Sequence, residues 1–159
     1  MNIDEQSHNL MDHAWRYFEL HANQRMSLFN FFLAISGVVL AGLAATLQAS
    51  LNFSMLGIVL GALLAVISFI FWKLDQRVSF LIKHAETALV VLEKALPVNC
   101  SRLFLLEPSH TNEVAAATSW WTRLWTYGKC FRLIFWVMGL TGFGGAVLSV
   151  LKATGVLTL

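Results

Sequence analysis

The chain has 159 residues, of which 57% are hydrophobic and 13% charged, with a formal net charge of +2. Average soluble domains carry about 25% charged residues. The deficit excludes an ordinary soluble domain, and so small a positive charge excludes a direct nucleic-acid partner. The missing charge is concentrated: Met26 to Trp72 contains no Asp, Glu, Lys or Arg. The polar break 48–54 divides this stretch into two apolar runs.

Residues 1–26 read as a cytosolic amphipathic helix. Its start is acidic and polar (Asp4, Glu5, Asp12), unlike the basic start of a secretory signal, so the first apolar run is expected to be retained. Met11, Trp15, Phe18 and Ala22 recur at helical spacing and form one apolar stripe. Asp12 and Arg16 stand i,i+4 and can pair on the outer face. No helix breaker separates this stripe from Met26 and Phe29, so the helix is expected to run straight into the membrane.

A transmembrane hairpin is expected over 27–72. The first span, 27–47, would cover about 31 Å and the second, 55–72, about 27 Å, against a hydrocarbon core of about 30 Å. Trp72 then falls in the interfacial aromatic belt. Beyond it, Leu74, Val78, Leu81, Ala85, Leu89 and Leu92 continue a helical spacing with no Gly or Pro before Pro97. The second helix should therefore leave the lipid as an amphipathic rod ending near Leu96, and pair with the N-terminal stripe or dock a partner.

Residues 73–132 are read as cytosolic helices with an interfacial Trp-rich segment. Ser109 or Thr111 is the expected cap of a new helix, with Glu113 in its first turn. Trp120, Trp121 and Trp125, interleaved with Arg123, Lys129 and Arg132, read as a membrane-interface segment. The third apolar run, 133–151, is charge-free and would cover about 28 Å as a helix. A third span is expected, with a re-entrant or surface-lying helix as the alternative. The fold class expected is an all-α membrane protein with three transmembrane helices and amphipathic cytosolic extensions.

Ten of the eleven Lys and Arg lie before the first span or between the second and third. The positive-inside rule then places the N-terminus and the long loop in the cytoplasm. Cys100 and Cys130 fall in segments assigned to that side, where thiols stay reduced.

Chemistry is sparse. His13, Tyr17 and His21 share a helical face, but the two His are two turns apart, too far to chelate one ion, and Tyr is a poor zinc ligand. No phosphate loop or nucleophile elbow is present. No metal, cofactor or catalytic set is assigned, and an enzyme is not expected. Small residues recur at packing intervals: Gly37 and Ala41; Gly57, Gly61 and Ala65; Gly142 and Ala146. Such faces let helix backbones approach closely, within a chain or between copies. The spans hold no ionisable residue, which argues against ion-coupled transport. Asn30, Ser36, Thr46, Ser68 and Thr141 are expected to hydrogen-bond between helices.

The run Trp15-Arg16-Tyr17-Phe18-Glu19-Leu20-His21-Ala22-Asn23-Gln24-Arg25, followed by Phe29-Asn30-Phe31-Phe32, resembles the start of small multi-span proteins of bacterial anti-phage defence operons. Phe71-Trp72-Lys73-Leu74-Asp75-Gln76-Arg77, followed by Ile82-Lys83-His84-Ala85-Glu86, resembles their second-span exit. The transmembrane effectors of some retrons look similar, and the likeness covers about the first 95 residues. It implies a membrane effector that damages the inner membrane and stops the host cell when a partner senses infection. The three short spans, the small-residue faces, the lack of a catalytic set and the amphipathic cytosolic pair lead to the expectation of a homo-oligomer that perturbs or permeabilises the inner membrane, with a soluble sensor from the same operon as its partner. A different class stays open: a non-catalytic anchor or assembly subunit that docks a soluble partner. A holin-like lysis protein fits the size but needs no long cytosolic helix.

Overall fold

The computed structural model describes residues 3–95, 102–117 and 125–156. Four α-helices occur among them: α1 (Ile3–Gln48), α2 (Ser54–Ala95), α3 (Leu103–Ala117) and α4 (Tyr127–Ala153). No strand occurs among the described residues, so the protein is all-α.

α1 runs unbroken for 46 residues, through the polar segment and the first apolar run alike. The reason is local: nothing between Ile3 and Gln48 removes a backbone donor, and its glycines are isolated. A short 3-10 turn at Leu51–Phe53, entered from extended Ser50, reverses the chain. α2 then runs for 42 residues and ends at Ala95, two residues before Pro97.

α3 departs from expectation. It begins at Leu103, not at Ser109 or Thr111, and encloses Pro108. The physical cause is a cap supplied from another helix. The backbone amides of Phe104 and Leu105 donate to the Glu93 carboxylate of α2 at 3.2 and 2.9 Å. A carboxylate there satisfies orphan donors and complements the helix dipole. Ser109 instead donates to Leu106 O, within the helix. α4 likewise starts at Tyr127, six residues before the apolar run that announced it.

The chain forms two compact units. One gathers the N-terminal part of α1 up to Arg25, the end of α2 from Arg77, and α3. The other gathers Met26–Gln76 and α4. In the second unit α2 runs antiparallel to both α1 and α4, because Gly57 meets Thr46 and Ser149 at one end, while Ser68 meets Gly139 and Phe71 meets Phe32 at the other. Three helices, α1, α2 and α4, are long and apolar enough to cross a membrane. Only 17%, 28% and 22% of their most apolar stretches is buried within the chain. The remaining apolar surface faces outward, as it must where the solvent is hydrocarbon.

Candidate functional site

The site of interest is the set of surfaces by which the charge-free helices pack. Gly57, Gly61, Gly142 and Gly145 are all buried. A Cβ at Gly61 would stand 2.6 Å from both Ala146 N and Gly142 O. One at Gly142 would stand 2.8 Å from Ala65 N and Gly61 O. These neighbours are backbone atoms and cannot swing away. α2 and α4 therefore touch main chain to main chain, the contact that small residues permit in lipid. Gly57 faces Thr46 and Ser149, and Gly145 receives the Leu43 side chain of α1. In contrast, nothing lies within 4 Å of a Cβ at Gly37, and Ala41 is exposed. The small face of α1 is turned away from the other two helices.

One end of this three-helix unit is closed by aromatic rings. Phe32, Phe131 and Phe135 are buried, with Phe29, Phe71 and Trp72 packed against them. Phe29 stacks on Phe131 at 4.0 Å, and Phe32 meets Phe135 edge-on at 4.7 Å between ring centres. Such pairs add about 0.5–1.5 kcal/mol each beyond their area burial. Just past the rings, Asp75 is buried and lies 3.9 Å from the half-exposed guanidinium of Arg132.

The other end is closed by Lys152, which is 2% exposed. Its ammonium donates to Leu47 O at 2.5 Å and to Ala49 O at 2.6 Å. The last carbonyls of a helix have no intrahelical partner and carry the negative end of its dipole, so a cation is well placed there. Lys152 fastens the last turn of α4 to the end of α1.

The membrane-depth hydroxyls correct one expectation. Thr46 donates to Leu43 O, Ser68 to Leu64 O, Thr141 to Val137 O and Ser149 to Gly145 O. Each is satisfied by its own helix, because a carbonyl three or four residues back is always in reach. Interhelical hydrogen bonds by Thr46, Ser68 and Thr141 are replaced by this back-bonding.

In the other unit, Val78, Ile82, Ala85 and Leu89 form the buried line of α2. Leu81 and Leu92 lie half-buried beside it, and Leu74, in the three-helix unit, is exposed. Met11, Phe18 and Ala22 of α1 are half-buried and Trp15 is 46% exposed. Phe104 of α3 packs edge-on against Phe18 at 5.4 Å and Trp15 at 6.2 Å, so these two residues serve to hold α3. Asp12 and Arg16 pair at 3.0 Å on the surface. His21 packs against the Tyr17 ring and bonds Gln24, and no metal-binding group occurs among the described residues. Burial, and after it Glu107 of α3, push the Glu86 carboxyl above the ordinary range, against the opposing pull of Lys83 and Arg25.

Of the interfacial tryptophans, Trp72 is half-buried 6.1 Å from Trp136, and Trp125 is 55% exposed. Trp120 and Trp121 lie outside the described residues. The residues that sequence reasoning missed are Lys152 as an internal clamp, Glu93 as a cap, and the Phe32–Phe131–Phe135 cluster. A lone lysine at the end of an apolar run reads as a residue reaching for the interface, and only the spacing of Phe131 and Phe135 hinted at a shared face.

Residues 8–151 match the octameric membrane protein family (8xMP). CD-NTase-associated protein 19 of Escherichia coli is 46% identical over 132 residues, covering 82% of this chain and 84% of that protein. No solved structure matches the chain significantly. The family and the relative bear out the resemblance to small membrane effectors of bacterial defence operons. With a family match over almost its whole length and three helices able to cross a bilayer, the chain belongs to the octameric membrane protein family.

Proposed function

We propose that this protein is a non-catalytic effector of anti-phage defence that assembles in the bacterial inner membrane, in eight copies, and perturbs or permeabilises it. The observation that carries this reading is the outward small face of α1. Gly57, Gly61 and Gly142 are consumed by packing within the chain, while Gly37 and Ala41 are open. In a family of octamers, an open small face on a membrane-crossing helix is the natural contact between copies. The positions of the basic residues support an N-terminus in the cytoplasm. Helices α1, α2 and α4 are the membrane spans in this reading. The relative's name ties it to a CD-NTase, and an enzyme of that kind is the proposed soluble source of the trigger. The unit built from the ends of α1 and α2 with α3 is where the signal would act.

The test is induced expression with a membrane-potential dye, alone and together with the native operon partners. Depolarisation and growth arrest are expected, and Gly37→Leu combined with Ala41→Leu should abolish both. Normal potential and growth in every arm would sink the effector reading.

A further inference from the structure

The geometry points to a binding site for an anionic phospholipid in the groove between α2 and α4. The groove has a volume of about 310 Å³ and is lined by Ala65, Phe69 and Trp72 of α2 and by Trp136, Gly139 and Leu140 of α4. Ser68 also lines it, but its hydroxyl donates to Leu64 O of its own helix. No other lining side chain carries a hydroxyl, amide or charge, and the two tryptophans add one indole N–H each. What enters is therefore hydrocarbon. A dry apolar cavity of about 150 Å³ holds a benzene ring, so this groove has room for a stretch of acyl chain. Both walls belong to helices able to cross a membrane, where acyl chains are the solvent.

The end of the groove nearest Lys73, its mouth, specifies the rest of the ligand. Trp72, next to Lys73 in sequence, and Trp136 are lining residues 6.1 Å apart. The Lys73 ammonium lies over the Trp72 ring at 4.8 Å and near Phe69 at 5.8 Å, directly beside the lining. Its hydrogen-bond partner is the neutral Gln76 side chain, at 3.4 Å. On α4, Arg132 and Lys129 precede Trp136 at i−4 and i−7, on the same face and toward the same end. Asp75, the acid at this level, is buried beside Arg132. The mouth thus carries an excess of positive charge above an apolar slot. A phosphodiester headgroup with attached chains matches both parts, as basic pockets between membrane helices do for anionic lipids. A second copy of the chain fits less well. Its apolar spans contain no carboxylate to meet Lys73.

The site is tested on the detergent-purified oligomer by native mass spectrometry with phosphatidylglycerol or phosphatidylcholine bearing identical chains. Preferential retention of phosphatidylglycerol is expected. Lys73→Gln with Lys129→Gln, both exposed positions, should cut that preference about fivefold or more. Leu140→Trp, at a wall residue 61% exposed, should lower retention of both lipids by filling the slot. Equal retention of the two lipids by the unsubstituted protein would overturn the site. So would a preference that survives loss of both lysines, or retention unaffected by Leu140→Trp. Lipid retention is read independently of membrane potential, so this inference stands or falls apart from permeabilisation.

Discussion

Glu86 lies half-buried on α2 in a setting that disfavours its charge. Desolvation raises its pKa first and Glu107 second, outweighing Lys83 and Arg25. A raised folded-state value means that the fold favours the protonated form. Stability from this group is therefore fully present below the ordinary carboxylate pKa and is lost as pH rises through the folded value. Glu86→Gln should raise the melting temperature of the detergent-solubilised protein at neutral pH, with the gain vanishing at about pH 4. Equal melting shifts at both pH values would show that the carboxyl is not strained. Lys152 illustrates the opposite case, a charge that burial does not leave stranded. Two carbonyls at the end of α1 receive it. Its position at the end of an apolar run was legible, but its burial was not. The acceptors lie 105 and 103 residues away in sequence and are backbone atoms, which no pattern of side chains reveals.

At the scale of elements, the long helices followed from pattern alone. A continuous α1 and an α2 ending before Pro97 needed only apolar periodicity and the absence of breakers. The buried line of α2 shows how far such reading reaches. A helical spacing predicted Leu74, Val78, Leu81, Ala85, Leu89 and Leu92, whereas the buried line is Val78, Ile82, Ala85 and Leu89. Both sets keep the helical repeat, but the buried face is turned toward Ile82 and Glu93, the side on which Glu93 meets the α3 amides. α3 lies beyond such reasoning, because its start is set by Glu93 from another helix. Glu93→Ala should cost about 0.5–2 kcal/mol, as loss of a helix cap does. Hydrogen exchange should quicken at Phe104 and Leu105 while the α2–α4 glycine contact keeps its protection. Unchanged exchange at those two amides would show that α3 does not depend on the cap.

For the whole molecule, two glycine faces have opposite fates. The Gly61 face is sealed against the α4 backbone, and the Gly37 face is open. Gly61→Leu should therefore damage the protomer itself, by about 1–3 kcal/mol or more of overpacking, before assembly can be asked about. Gly37→Leu should leave the protomer's melting unchanged and shorten a crosslinked oligomer ladder. An intact ladder and normal melting in Gly61→Leu would refute the close α2–α4 contact.

The sequence by itself determined that this is an all-α membrane protein. It marked three apolar helices of spanning length, two of them prolonged as amphipathic rods, because charge depletion and helical period are local properties of the chain. Only the tertiary structure decided which small-residue face packs inside, which hydroxyls stay on their own helix, and where Lys152 and Glu93 find their acceptors. The physical reason is the solvent. In water, an apolar face points to its partner, because burial there is favourable. In lipid, hydrocarbon satisfies every apolar face alike, so the choice passes to backbone approach at Gly61 and Gly142, and beyond the apolar runs to Lys152 and Glu93, buried charges that find backbone groups at helix ends.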